Sequence, residues 1–215
     1  MSLNKIREYI MVKDEFSHAK LEEAGCYDYY GELKYTDMIY AMLTSTFKMD
    51  RLFNEVSYVI AFDHKKNPKG ICKIGLGGIS ETPTPIQSLF TFLLLTGAHS
   101  FMVAHNHVSD MPNASVEDQL ITASIAGTAT TFNMEFIGHM IINPNGYIID
   151  GGLMNGTTAE LDEDGDIISY NDEYEECDDS FDEAEIESEP IYVTAENVYE
   201  VAKMLKESAE RKRGQ

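Results

Sequence analysis

Between Glu160 and Glu189 the chain carries 16 acidic residues and not one lysine or arginine. A run of like charge repels itself and lacks the apolar surface needed to offset chain entropy, so the folded body must come from the rest. The whole chain has 16 basic against 37 acidic residues, a net charge of −21; without the run the remainder stands at −5. The sequence therefore describes a near-neutral domain carrying an acidic segment. At 215 residues it is long enough for one ordinary domain with additions, and needs no disulfide staples to bury a core.

The charge argues against direct binding of duplex nucleic acid, which needs clustered Lys and Arg. Cys26, Cys72 and Cys177 form no paired spacing, which fits a reducing cytoplasm better than a secreted scaffold. The N-terminal stretch lacks the apolar core of a signal peptide. The run Leu89 to Leu95 is too short to cross a bilayer. A soluble, cytoplasmic protein with no membrane partner is the expectation. Within the acidic run, Asp162, Asp164, Asp166 and Glu173 fall at positions 1, 3, 5 and 12 of a calcium loop, but Ile167 stands where the turn glycine belongs. A solvated, flexible link that adds little stability is the preferred reading; Ile167, Ile168, Tyr170 and Tyr174 are the residues able to dock part of it.

Ahead of the run, helix and strand signals alternate. Met38 to Phe53 has helical spacing, and Glu55 to Phe62 reads as a buried strand. A polar turn over Asp63 to Gly70 leads into a returning strand, Ile71 to Leu76. Thr84-Pro85 opens an apolar helix through Thr96, stopped by Gly97. Ser100 to Ala104 is a short strand running into His105-Asn106-His107. Ser115 and Asp118 have the spacing of an N-terminal capping box for a helix from Val116 to Thr131, with Leu120, Ile121 and Ile125 inward. Strands at Met134 to Ile142 and Tyr147 to Asp150 flank an Asn-Pro-Asn-Gly turn. The order predicts an α/β fold with three α-β-α layers around a mixed sheet. Beyond Pro190, Thr194 and the spacing of Val198, Val201, Ala202 and Leu205 predict a C-terminal amphipathic helix.

The chemistry concentrates at His105, His107 and Asp118. Two histidines at i and i+2 of a strand end point to one side of the pleat. Asp118, in the first turn of the next helix, can add an oxygen ligand. Two imidazoles and one carboxylate match a catalytic zinc site with a fourth position open to water.

The pattern His105-x-His107-x7-Ser115-x2-Asp118 resembles the metal signature of the JAMM (MPN+/JAB) metalloprotease family, and most closely its RadC-like branch. AHNHVSD (104–110), NASVEDQLIT (113–122), EVSYVIAFD (55–63) and IGHMIINPNGYI (137–148) carry the likeness. It covers roughly residues 35 to 152 and implies a JAB/MPN-like, deaminase-like core. The resemblance implies Zn2+ on His105, His107 and Asp118. It implies Glu55 as general base, and Ser115 as a donor that orients water or stabilises the oxyanion. His139 matches a histidine of the branch and is read as supporting a ligand rather than being one; Gly138 stands where an aspartate usually precedes it. Val108 and Asp110 replace the usual proline and glycine after the motif, and Ile86-Gln87 a charged pair.

The expected organisation is an N-terminal extension (1–34), the metal-binding domain (35–154), the acidic flexible segment (155–190) and the terminal helix (191–215). The expected function is hydrolysis of a peptide or isopeptide bond in a peptide or protein substrate. The rival is a binding module linked to DNA repair or mobile elements, acting on protein or nucleic-acid partners without proteolysis. A third reading is a scaffold that recruits a protein partner through the acidic segment or terminal helix.

Overall fold

The structure, a computed structural model, describes residues 3–77, 84–108, 113–161 and 167–171. Within these, β1 (Leu3–Lys13), β2 (Ala19–Tyr30), α1 (Thr36–Phe47), β3 (Val56–Phe62), β4 (Pro68–Leu76), α2 (Ile86–Thr96), β5 (Ser100–Asn106), α3 (Val116–Thr131), β6 (Glu135–Asn143), β7 (Gly146–Asp150), β8 (Thr158–Leu161) and β9 (Ile167–Asn171) follow in order. All nine strands form one mixed sheet, in the order β2-β1-β4-β3-β5-β6-β7-β8-β9. β1 with β4 and β5 with β6 run parallel, and the other neighbours antiparallel. This is the predicted α/β class.

Two cores lie on opposite faces of the sheet. Ile39, Tyr40, Met42 and Leu43 of α1 pack with Val56, Tyr58, Ile60 and Phe62 on one face. Leu89, Phe90, Phe92 and Leu93 of α2, with Ile125 and Ala129 of α3, pack with Val59, Ala61, Phe101 and Val103 on the other. The central strands β3 and β5 are buried along their whole length, which explains why they read as continuous apolar runs without alternation. Phe101 is fully buried, its ring centroid 5.7 Å from that of Phe90 and 5.2 Å from that of Phe136. Phe101→Ala should cost roughly 3–5 kcal/mol, read from the midpoint of urea unfolding. A midpoint within error of wild type would show that this second core is not the one that holds the sheet.

Several boundaries differ from the sequence expectation for local reasons. The first helix ends at Phe47, not Phe53. Lys48 adopts the left-handed conformation and its N–H donates to the carbonyls of Leu43 and Thr44. A 3-10 turn over Met49–Arg51 then tucks Met49 into the core, leaving Phe53 77% exposed. Pro85 caps α2 instead of opening its first turn, while Gly97 closes that helix at φ 60 as expected. The inward residues of α3 are Thr122, Ile125 and Ala129, with Ile121 only partly buried against the same core. The N-terminal stretch, where the sequence offers no element, is a long hairpin that extends the sheet through Glu8 and Tyr9 to Ile71 and Cys72 of β4.

Two pieces of the segment expected to be flexible, β8 and β9, pair onto the sheet beyond β7. The calcium-loop residues Asp162, Asp164, Asp166 and Glu173, the rest of the acidic run, and the expected C-terminal helix lie outside the described residues, as does Asp110. Among the described residues no helix is long and apolar enough to cross a membrane.

Candidate metal centre

The parallel pairing of β5 with β6 carries the chain to the sheet's end, where His107 continues the ladder through its N–H to the Ile142 carbonyl, 2.7 Å. His105 and His107 thus leave the same face of the strand, with ring centroids 4.7 Å apart. Asp118 arrives from α3. The capping box is complete: the Asp118 N–H donates to Ser115 Oγ at 3.1 Å, and the Ser115 N–H donates to Asp118 Oδ2 at 2.8 Å. The Ser115 hydroxyl also donates to Oδ2, at 2.6 Å. The cap that starts the helix therefore fixes the rotamer of the carboxylate.

That carboxylate faces both imidazoles. His105 Nε2 lies 3.2 Å from Asp118 Oδ1, and His107 Nε2 lies 3.2 Å from Oδ2. One donor atom from each of His105, His107 and Asp118 falls within 4.8 Å of the others, so these three residues could hold a metal ion. Two imidazoles and a carboxylate are a donor set whose chemistry fits zinc. His105 is 3% exposed, and the side chains of His107 and Asp118 are 13% and 15% exposed. The site is thus walled on the protein side and open on one. Burial opposes ionisation of Asp118, yet hydrogen bonds from His105, His107 and Ser115 hold its carboxyl well below the usual range.

Behind His105 stands His139. Its Nε2 is 2.8 Å from His105 Nδ1, and its Nδ1 is 2.7 Å from the Thr122 hydroxyl. His139 is fully buried, and burial, with the charges of His105 and His107, pushes its pKa well below the ordinary value. It touches a candidate ligand without joining the cluster, in keeping with the supporting position read from sequence.

Glu55 sits immediately before β3 and is 8% exposed; its carbonyl accepts from Gly77 N–H at 2.9 Å. The β3–β5 register opposes Ser57 to His105, which brings the head of β3 beside the His-x-His end of β5. Asn106 makes this juxtaposition specific. Its Oδ1 accepts from the Val56 N–H at 2.8 Å, and its Nδ2 donates to the Asn54 carbonyl at 3.2 Å. The side chain between the two histidines thereby grips the backbone on both sides of Glu55. Nothing in the spacing of Asn106 alone distinguishes it from a loop residue; only strand register does. His18, His64 and His99 are exposed and lie outside the cluster.

An α/β sheet here delivers two imidazoles from a strand end to a carboxylate on a helix cap, a group that could hold a metal ion. A family model described as the RadC-like JAB domain matches residues 33–149, more than half of the chain, and the chain belongs to that family. Its curated relatives include UPF0758 protein STH371 of Symbiobacterium thermophilum, 25% identical over 111 residues, covering 51% of this chain and 47% of the relative. A UPF0758 protein of Thermotoga maritima is 28% identical over 100 residues, 46% of this chain and 45% of the relative. UPF0758 protein Lm4b_01560 of Listeria monocytogenes is 33% identical over 75 residues, 35% and 34% of the two chains. The chain spans about half or less of the length of these relatives, and their names carry no activity.

Proposed function

We propose that the protein is a zinc-dependent hydrolase of the JAMM type that cleaves a peptide or isopeptide bond. The observation that carries the reading is the seating of Asp118 between two imidazoles, one facing each carboxylate oxygen at 3.2 Å. A cap and a strand end have no structural need of that convergence.

His105, His107 and Asp118 would hold the zinc. When bound, zinc supplies a Lewis acid that lowers the pKa of water toward about 7 and polarises the scissile carbonyl. Glu55, enclosed at the head of β3 and outside the three-residue cluster, takes a proton from the attacking water and delivers it to the leaving amine. Asn106 holds the backbone from which that carboxylate projects. Ser115 has a single hydroxyl proton, now donated to Asp118 Oδ2. Serving the developing oxyanion requires that proton to swing away from the carboxylate, a geometry-sensitive contribution. In the same reading, the substrate is a peptide or protein strand, and the acidic run and C-terminal segment are the parts that meet a protein partner.

The test is hydrolysis of a mixed-sequence peptide library and of lysine-linked isopeptides by zinc-loaded protein. Cleavage should appear with zinc, vanish with chelator and return on adding zinc. Cleavage that persists in chelator would contradict the mechanism. Binding of a protein or nucleic-acid partner, with no cleavage of any member, would favour the module reading instead.

A further inference from the structure

The two helices on the second core, α2 and α3, differ in chemistry from the rest of the chain. Charged residues make up 25% of the sequence, yet none occurs from Pro85 to Ala98 or from Gln119 to Met134. Leu94 and Leu95 of α2 are 52% and 46% exposed, and Phe132 at the end of α3 is 44% exposed. The helices meet at this point. The Phe132 ring stacks on Phe90 with centroids 5.4 Å apart, and Leu94 follows Phe90 by one turn on the same side of α2. Other exposed apolar side chains, Phe16, Phe53 and Leu153 among them, sit in separate turns and bends, as scattered apolar residues do on any surface.

The hydroxyls of these helices are already engaged. Thr91, Ser124, Thr128, Thr130 and Thr131 each donate to the carbonyl four residues back in their own helix. With those protons satisfied inside the helix, covering the groups carries little desolvation cost. A surface built this way suits an apolar partner.

The chain carries a matching element beyond the described residues. In the sequence, Val198, Val201, Ala202 and Leu205 recur at i, i+3, i+4 and i+7, the stripe of an amphipathic helix that needs an apolar surface to bury against. Glu196, Glu200, Lys203 and Glu207 fall on the opposite side of the same spacing. The 22 residues between Asn171 and Thr194 can span roughly 70 Å. A domain of this size is about 40 Å across, so the tether is long enough to reach the α2–α3 face from the end of β9. Tethered, the stripe meets that face at an effective concentration on the order of millimolar, which a separate copy of the chain does not match.

We propose that the segment 194–208 docks as a helix on the outer face of α2 and α3, laying Val198, Val201, Ala202 and Leu205 over Leu94, Leu95 and Phe132. Its charged side is left outward, for a protein partner. The inference does not depend on what the metal centre does.

The test uses the full chain with labelled leucine methyl groups and a soluble gadolinium chelate. In wild type the Leu94 and Leu95 methyls should be shielded from the chelate, and the double variant Val201→Asp, Leu205→Asp should raise their relaxation severalfold. Reciprocally, Leu94→Asp with Leu95→Asp should speed backbone amide exchange over 198–205 by about 10-fold or more, the loss expected when buried leucines are uncovered. Glu200→Lys, on the outward side, should change neither reading. Both should be independent of protein concentration. Freely exposed methyls in wild type would overturn the proposal, as would shielding that survives the double variant of the stripe. Shielding that grows with concentration, alongside a dimer in sedimentation, would assign the face to a second copy and overturn it too. If the α2 variant fails to fold, the stripe variant decides alone.

Discussion

His107→Ala should lose zinc, with affinity falling by more than the roughly 100-fold ceiling for outer partners, because a direct ligand is removed. The rest of the domain should stay folded. His107 lies just beyond β5, and the backbone bond that anchors it, its N–H to the Ile142 carbonyl, does not involve the imidazole. Acid should mimic the substitution. Metal binding requires neutral imidazoles, so affinity should fall as pH drops. Asp118 should not set this limit, since its carboxyl is held well below the usual range and stays ionised throughout. In the metal-free protein its lowered value has the matching sign: its stabilising contribution is present above the unfolded carboxylate range and is lost only as pH falls through the folded value. Equilibrium titrations with zinc from pH 5 to 8 check both points. Affinity that is flat across that range would be incompatible with histidine ligands.

Glu55→Gln should do the opposite of His107→Ala. The amide keeps the size of the carboxylate and the 2.9 Å bond from Gly77 N–H to the backbone carbonyl, so fold and zinc should remain. It has no basic oxygen, so hydrolysis should fall by about 100-fold or more, the usual worth of a general base. The loss should appear in kcat and not in KM, because a proton-transfer role touches the transition state more than the bound substrate. Cleavage by Glu55→Gln at the wild-type rate would remove Glu55 from the mechanism even with zinc in place.

Much of the body was legible because local signals and packing agree there. Gly97 ends α2, Ser115 and Asp118 start α3, and the turn after Asp63 closes the β3–β4 hairpin, each through a bond within a few residues. The convergence of His105, His107 and Asp118 was legible for the same reason: 14 residues hold all three, on a strand end and the helix that follows. What the sequence hid depends on register across the sheet. Asn106 gripping the backbone around Glu55 follows from the β3–β5 pairing, over a separation of 50 residues. Thr122 facing inward follows from what β6 and β7 present to α3, so a count of apolar positions passes over it. The hairpin of β1 and β2 escaped because its residues are largely exposed, with polar and charged side chains on both faces of β2 and little period-2 alternation to read. The pairing of β8 and β9 escaped because acidic composition speaks of side-chain charge, whereas the edge of β7 offers backbone partners to any strand.

The most direct measurement is isothermal titration of zinc into metal-free wild type, Glu55→Gln and His105→Ala, side by side at pH 7.5. The account predicts one zinc per chain in wild type and in Glu55→Gln with similar affinity, and no saturable binding in His105→Ala. No binding by wild type, or a full site retained in His105→Ala, would contradict the claim that these residues form a zinc centre.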